Sequence, residues 1–237
     1  MKAPQIVTPA EWTRARIALL EKEKELTRAR DALSAARREL PWERVEKSYV
    51  FDGPKGDLSL GDLFEGRSQL IIYHFMFAPD SEVGCRGCSF WADNFNGLAP
   101  HLNARDVTLT AISRAPLAKL RAQAERFGWT FNWVSSGRTD FNFDYQASFG
   151  EADRQAGAVI HNYAVDKNVM ADKPGVSVFY RDESGAIFHT YSCYSRGIDT
   201  LNTAYHYLDL TPKGRDEAGL PHPMAWVRLR DQYDVSA

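Results

Sequence analysis

The sequence has few cysteines and no strong excess of charge of either sign. Its 237 residues include only three cysteines, too few for a disulfide framework in a chain of this length. The 29 basic and 31 acidic residues leave a net charge of -2, so the strongly basic surface that nucleic acids or anionic lipids attract is excluded. We therefore expect neither a nucleic-acid partner nor a membrane partner.

Long apolar runs are also missing. The longest, "LIIYHFMF" at residues 70–77, is far shorter than the roughly 20 residues that cross a bilayer. The first residues, "MKAPQIVTPAEW", lack the apolar segment of a signal peptide. These absences predict a cytoplasmic location. Hydrophobic residues make up 44% of the chain and aromatic residues 12%, enough for a substantial core.

Residues 1–41 predict an N-terminal helical extension. Thr8, Pro9 and Glu11 have the pattern of a capped helix start, and Pro41 ends the helical pattern. An apolar residue recurs every seven positions: Trp12, Leu19, Leu26, Leu33 and Leu40. A stripe this narrow either packs on the rest of the chain or forms a coiled-coil seam. A homodimer through this helix is therefore one of the two alternatives.

Residues 42–210 alternate between predicted strands and helices. The buried strand in "SQLIIYHFMF" precedes a Cys-x-x-Cys sequence and a helix over residues 89–102. A second strand in "DVTLTAIS" precedes a helix in "APLAKLRAQAERFG", and "GVSVFYRDESGAIFHTYS" predicts a hairpin. This order indicates an α/β fold, a central mixed sheet flanked by helices. Residues 130–172 are predicted to be an insertion and residues 211–237 a loop-like C-terminal tail.

The sequence Cys85-Arg86-Gly87-Cys88 is the strongest chemical signal in the chain. Two cysteines with this spacing at the start of a helix lie about one turn apart, and the helix dipole stabilises a thiolate at the first. Arg86 adds a positive charge, and Gly87 permits the close approach that a disulfide needs. We predict Cys85 as the nucleophile and Cys88 as the thiol that resolves a mixed disulfide.

Other roles for the cysteine pair stay open at this point. Cys85 and Cys88 with Cys193 and a histidine, either His189 or His74, have the residue types of a metal site. A metal-binding or metal-delivery protein is therefore one alternative, and a non-catalytic dimeric interaction module is another. For His74 the alternatives are core packing and proton transfer to a leaving thiolate.

The order of strand, Cys-x-x-Cys, helix, strand, helix, proline, hairpin and final helix resembles the thioredoxin fold. The resemblance implies that Pro174, in "KPGVSVFYRDESGAI", is a cis-proline facing the cysteines. It also implies that the backbone beside this proline pairs with the extended chain of a substrate. The chain departs from thioredoxin at two positions, because Gly87 stands where thioredoxin has proline and Trp91 lies after the cysteines rather than before them.

The peroxiredoxin motif Pro-x-x-x-Thr/Ser-x-x-Cys is missing. Counting from Pro79 places Val83 and Arg86 at the motif's Thr/Ser and Cys positions. The chain more closely resembles a bacterial thioredoxin-like family catalogued as domain of unknown function 899. Three stretches look like that family: "YHFMFAPDSEVGCRGCSFWADNFNG", "PGVSVFYRDESGAIFHTYS" and "YHYLDLTPKGRDE". The similarity covers nearly the whole chain and implies a redox site without naming a substrate.

These observations predict a thiol–disulfide oxidoreductase with catalytic Cys85 and Cys88. Its partners are a protein or small-molecule disulfide or thiol and an external reductant. The expected substrate-binding residues are Pro174, Arg86, Gly87 and Trp91, the last as part of an apolar platform beside the cysteines. No flavin or nicotinamide motif is present, so we expect no cofactor and no metal.

Overall fold

A computed structural model describes residues 4–233 of the chain. These residues form two compact units, which divide between Pro41 and Trp42. The first unit contains helix α1, Pro9–Arg38. Its start is capped reciprocally: the Glu11 N–H donates to Thr8 Oγ1 at 3.4 Å, and the Thr8 N–H donates to the Glu11 carboxylate at 2.9 Å. The predicted helix start is confirmed, because these bonds satisfy donors that the first turn leaves free.

The second unit contains the remaining elements. Its helices are α2 Arg86–Ala92, α3 Phe95–Asn103, α4 Leu117–Phe127, α5 Phe141–Asp144, α6 Glu151–Ala156 and α7 Thr203–Leu208, with 3₁₀ helices at Asp62–Phe64, Ser195–Leu201 and Arg230–Gln232. Its strands are β1 Glu43–Arg44, β2 Val50–Gly53, β3 Gly56–Ser59, β4 Gln69–His74, β5 Val107–Ser113, β6 Asn132–Ser135, β7 Val159–His161, β8 Ala164–Asp166, β9 Gly175–Arg181 and β10 Ile187–Tyr194. Within residues 4–233, no helix combines the length and apolar character needed to cross a bilayer.

Eight strands form one mixed sheet in the order β1-β10-β9-β4-β5-β6-β2-β3. Strands β4, β5 and β6 are parallel, and β9 joins β4 antiparallel and pairs with β10 as a hairpin. Parallel strands flanked on one side by an antiparallel hairpin, here β6-β5-β4 followed by β9-β10, are the thioredoxin-like arrangement. The predicted α/β fold is therefore confirmed. Strands β7 and β8 pair separately, within residues 130–172.

The structure confirms the predicted hairpin but divides the predicted helix over residues 89–102. The hairpin is confirmed, since the Asp182 N–H donates to the Ala186 carbonyl oxygen at 3.0 Å across the turn. The helix is divided into α2 and α3 at Asp93 and Asn94. The Asp93 carboxylate accepts a hydrogen bond from the Trp129 indole at 2.9 Å, which anchors the junction to the segment between α4 and β6.

Strand β4 presents alternate residues to two separate cores. Tyr73 packs in the core that contains Cys88, whereas Leu70 and Ile72 pack in the core on the other face of the sheet. Because side chains alternate along a strand, the neighbour of Tyr73 points away from the cysteines. His74 therefore lies on the opposite face.

His74 belongs to a buried chain of hydrogen bonds. The residue is 1% exposed, its Nε2 lies 2.9 Å from Ser177 Oγ, and the Ser192 hydroxyl donates to Ser177 Oγ at 2.8 Å. His189 Nε2 lies 2.7 Å from Ser192 Oγ, and the His74 ring stacks on Phe141. Burial lowers the pKa of His74 to about 4. Of the two alternatives for His74, this environment favours core packing.

The chain reaches β9 as an extended, already paired segment. The Phe149 N–H donates to the Ala171 carbonyl oxygen, and the Lys173 N–H donates to the Ala147 carbonyl oxygen, both at 2.9 Å. Residues 4–233 contain no cis peptide bond, so the bond before Pro174 is trans and the predicted cis-proline is wrong. The paired segment runs directly into β9, which leaves nothing to offset the trans preference of about 0.5–1 kcal/mol.

Residues 227–231 pack against the other elements of the second unit. Val227 and Leu229 are 0% and 4% exposed, and Leu229 belongs to the core that contains Cys88. Arg126 on α4 binds Asp231 at 2.6 Å. Residues 209–231, here called the C-terminal segment, therefore form part of the packed domain.

We expect acid to destabilise the protein through His74. Between its ordinary pKa of about 6.5 and the folded value of about 4, the unfolded chain binds a proton that folded His74 does not. Stability therefore falls as pH falls through this window, and His74 accounts for about 2 kcal/mol of the loss between pH 7.5 and pH 5.

Urea unfolding of wild type and His74→Gln at these two pH values measures this contribution. The difference between the two pH values should shrink by about that amount in His74→Gln. The exposed His101 supplies the control, His101→Gln, which should keep the wild-type difference. An unchanged pH dependence in His74→Gln would contradict the assignment.

Candidate active site

The two cysteines lie where the loop after β4 enters α2. Cys85 is the N-cap residue of α2, and Cys88 lies one turn inside the helix. The Cys85 N–H donates to the Met76 carbonyl oxygen at 2.9 Å, and the Ser89 N–H donates to the Cys85 carbonyl oxygen at 2.9 Å. These bonds hold the cysteine backbone between the central strand and the helix.

Gly84 fixes the other side of this loop against α4. Its N–H donates to Gln123 Oε1 at 2.6 Å, and Gln123 Nε2 donates to Ser89 Oγ at 3.2 Å. A Cβ at Gly84 would lie 2.7 Å from the Phe75 ring and 3.0 Å from the Gln123 amide, so a larger residue would displace the loop. The cysteines therefore sit on a rigid support.

Cys85 is a half-buried, acidic thiol. The hydrogen bond from the Cys88 thiol is the main cause that lowers the pKa of Cys85 to about 6, against the opposing effect of burial. The backbone N–H groups of Cys88 and Gly87 and the charge of Arg86 lower this pKa further. At neutral pH the Cys85 sulfur is therefore mainly a thiolate, the reactive form of cysteine.

Cys88 has the opposite properties. It is 2% exposed, and burial raises its pKa well above the ordinary value, helped by its hydrogen bond to Cys85 and by the charge of that thiolate. The Met76 N–H donates to Cys88 Sγ at 3.4 Å. Cys88 therefore keeps its proton at neutral pH and lies beside the Cys85 sulfur, beneath the surface.

A cavity of about 590 Å³ opens over the cysteine pair. Its near end is lined by Cys85, Gly87, Cys88, Trp91, Tyr73 and Pro174. Its far end is lined by charged and aromatic residues from the 3₁₀ helix Ser195–Leu201, from α7 and from the C-terminal segment: Arg196, Asp199, Tyr205, Asp209, Arg215 and Glu217. Met224 of the C-terminal segment lines the cavity close to Gly87. A volume of this size is typical of small-molecule sites.

The structure brings five of the six predicted site residues to this cavity. Cys85, Cys88, Gly87, Trp91 and Pro174 line it together. Trp91 is buried, and its indole N–H donates to the Ile198 carbonyl oxygen at 3.0 Å, which fixes the ring in the wall. The sixth residue, Arg86, is exposed outside the lining and acts on Cys85 through its charge.

The backbone beside Pro174 is not open for a substrate chain. As described above, the extended segment before Pro174 already pairs with residues 147–149 of this chain. On its other side, Gly175 pairs with His74 of β4 and with Tyr194 of β10. This environment does not favour the expectation that a substrate strand pairs here, because this chain itself supplies hydrogen-bonding partners on both sides of Pro174.

The structure does not assemble the metal ligands that the sequence left open. Among residues 4–233, no group of three or more histidine, cysteine, aspartate or glutamate side chains is placed to hold a metal ion. His74 and His189 lie in the hydrogen-bond chain with the serines, and Cys193 pairs with Val176 in the β9–β10 hairpin outside the cavity lining.

Sequence reasoning missed the far wall of the cavity and Tyr73. Tyr73 is buried beside Cys88 in the cavity lining, and burial and the neighbouring Cys88 raise the pKa of its hydroxyl well above the ordinary value. Strand alternation before the cysteine loop could have identified Tyr73. No local signal identifies Glu217 or Met224, because they lie in a segment without a regular period, and folding alone brings them over the cysteines.

Comparisons with solved structures find peroxiredoxins. The bacterioferritin comigratory protein of Xanthomonas campestris, which has alkyl peroxide reduction activity, is 13% identical, with 70% of this chain and 96% of that chain covered and a TM-score of 0.47. The peroxidoxin BcpB of Mycobacterium tuberculosis is 16% identical, with 68% of this chain and 93% of that chain covered and a TM-score of 0.40. A yeast mitochondrial 1-Cys peroxiredoxin is 17% identical, with 69% of this chain and 74% of that chain covered and a TM-score of 0.41. Likenesses at this level say nothing about the reaction that this chain performs.

Sequence comparison identifies the family. No curated protein sequence matches the chain. The family described as bacterial protein of unknown function (DUF899) matches residues 1–233, nearly the full length, which confirms the resemblance predicted from the three quoted stretches. This chain belongs to the DUF899 family.

Proposed function

We propose that this protein is a thiol–disulfide oxidoreductase that uses Cys85 and Cys88. The observation that carries the proposal is the asymmetry of the pair: an acidic, accessible thiol and a buried, protonated thiol lie in contact at one end of a cavity. Attack on a disulfide requires the first, and release of the mixed disulfide requires the second.

The first step is attack by the Cys85 thiolate on one sulfur of a substrate disulfide. A bond forms between the Cys85 sulfur and that substrate sulfur, the substrate disulfide breaks, and the other half leaves as a thiolate. The Gly87 and Cys88 N–H groups, which stabilise the Cys85 thiolate, release it as the new bond forms. Trp91 supports the substrate from the cavity wall.

The second step is resolution by Cys88. The Cys88 sulfur attacks the Cys85 sulfur, and the bond between Cys85 and the second half of the substrate breaks. The Cys88 proton goes to this second half, which leaves as a thiol. The protein has then lost two electrons and holds a Cys85–Cys88 disulfide, and the substrate has become two thiols. An external thiol reductant returns the protein to the dithiol form.

The alternatives from the sequence have less support. A metal-delivery role lacks a third ligand beside the cysteines within residues 4–233. A non-catalytic module has no need of an acidic thiol in a cavity, which argues against it. A cytoplasmic location and a homodimer through α1 stay predictions.

The acidity of Cys85 is expected to depend on Cys88. In wild type, alkylation of Cys85 by iodoacetamide should reach half its maximal rate near pH 6. In Cys88→Ala the main stabilising hydrogen bond is lost, so the midpoint should rise toward the ordinary thiol pKa of about 8.5. Peptide mass spectrometry of samples alkylated over a pH series gives both midpoints.

Cys193→Ala is the matched control for this measurement, because Cys193 lies outside the cavity lining. Its Cys85 midpoint should equal that of wild type. A wild-type midpoint near pH 8.5, or one that Cys88→Ala leaves in place, would count against the proposed thiol pair.

Removing the resolving thiol should trap the first intermediate. Mixed with 2-hydroxyethyl disulfide, reduced wild type should form its internal disulfide, whereas Cys88→Ser should accumulate one mercaptoethanol adduct on Cys85, because serine cannot attack it. Intact-protein and peptide mass spectrometry distinguish the two products. Cys85→Ser should form neither, and an adduct that persists on wild type would show that Cys88 does not resolve it.

A further inference from the structure

Resting on this proposed function, we propose that the substrate is a low-molecular-weight disulfide bearing an ammonium group, rather than a protein disulfide. Three features of the molecule favour such a substrate. The backbone edge beside the cysteines is already occupied, the C-terminal segment covers the pair, and the far end of the cavity carries an excess of carboxylates.

The first feature is the occupied backbone edge beside the cysteines, where a protein substrate would otherwise align by main-chain hydrogen bonds. An extended polypeptide gains affinity at a sheet edge through main-chain hydrogen bonds. Beside Pro174 those positions are taken, since Lys173 pairs with Ala147 and Gly175 pairs with strands on both sides. A protein disulfide would have to approach Cys85 without this alignment.

The second feature is the attachment of the C-terminal segment. The Glu217 carboxylate accepts three hydrogen bonds: from the Tyr205 hydroxyl at 3.0 Å, the Met224 N–H at 2.9 Å and the Trp226 indole at 2.8 Å. The Arg215 guanidinium lies 3.8 Å above the Tyr205 ring. Through these hydrogen bonds Glu217 holds the loop of residues 217–226, here called the covering loop, against Tyr205 of α7.

Met224 is the part of this loop that lies nearest the cysteines. A Cβ at Gly87 would be 3.2 Å from Met224 Cε, so the end of the Met224 side chain lies directly over Gly87, beside Cys88 in the chain. Met224 has a φ of 67°, a left-handed conformation that non-glycine residues adopt rarely. The Glu217 hydrogen bond to its N–H holds this conformation. A cavity of about 590 Å³ beneath this residue suits a small molecule rather than a folded partner.

The third feature is charge. The lining contains three carboxylates, Asp199, Asp209 and Glu217, against two guanidinium groups, Arg196 and Arg215. Arg215 binds Asp209 at 2.9 Å and Asp199 at 3.2 Å, and Arg196, whose side chain is 86% exposed, binds Asp199 at 3.2 Å. The three carboxylates and two guanidinium groups leave one net negative charge in the lining, and the Cys85 thiolate adds a second. A substrate that carries an ammonium group would complement this negative charge of the lining.

The chemistry balances with the disulfide as oxidant. For a substrate R–S–S–R, the Cys85 thiolate and the Cys88 thiol supply two electrons and one proton. The products are the Cys85–Cys88 disulfide, one RS⁻ and one RSH. Here R is a short chain that ends in an ammonium group.

Single-turnover oxidation tests the proposal without a competing reductant. Reduced protein, freed of reductant, is mixed with excess cystamine (cationic), 2-hydroxyethyl disulfide (neutral), dithiodipropionate (anionic) or insulin. Acid quenching, alkylation and mass spectrometry follow the appearance of the internal disulfide, with Cys85→Ser as background. Cystamine should react about tenfold faster than dithiodipropionate, with the neutral disulfide between them, and added salt should reduce the difference.

Insulin disulfides should react about a hundredfold more slowly than cystamine, because they cannot reach the attack geometry. Insulin reacting as fast as cystamine, or dithiodipropionate reacting faster, would overturn the inference and leave the proposed function standing. Failure of folded protein to react with any of the four would instead overturn the proposed function.

Two variants test the role of the C-terminal segment. Glu217→Ala should raise the insulin rate several-fold and reduce the preference for cystamine, because it releases the loop and removes a carboxylate. The exposed Glu183 in the β9–β10 turn supplies the control, Glu183→Ala, which should match wild type. Met224→Ala, with the exposed Met170→Ala as its control, should raise the insulin rate while the cystamine preference persists. Wild-type selectivity in folded Glu217→Ala would contradict the proposed covering role.

Discussion

The hydrogen bond from the Cys88 thiol to the Cys85 sulfur is the interaction on which the site depends. It is the largest cause of the low pKa of Cys85, and the same contact contributes to the high pKa of Cys88. One helical turn thus gives two chemically identical side chains opposite protonation states at neutral pH. A dithiol with this asymmetry has a defined order of attack and resolution.

The surroundings determine what reaches this pair. In a thioredoxin-like sheet the chain before β9 lies beside the cysteines, and here residues 147–149 pair with it. The C-terminal segment closes the remaining side through Glu217 and places Met224 over Gly87. The fold therefore converts an exposed redox surface into a cavity, and a cavity selects its ligands by size and charge.

Much of the framework follows from local sequence patterns. The capping residues Thr8 and Glu11 determine where α1 begins, and the turn at Asp182 determines the β9–β10 hairpin, because both depend on hydrogen bonds within a few residues. The continuous apolar run before the cysteines predicts β4 for a similar reason, since a strand buried on both faces needs apolar residues throughout.

The sequence by itself determined the fold class, the cysteine pair at a helix start and the family. The tertiary structure alone decided the trans bond at Pro174, the hydrogen bonds that join His74 to Ser177 and Ser192 of the hairpin, and the wall formed by Glu217 and Met224. The physical reason is the range of the interactions involved. Helix caps and turns join neighbours in the chain, whereas the pairing beside Pro174 and the covering of Cys85 join residues far apart in sequence, whose contact no local pattern records.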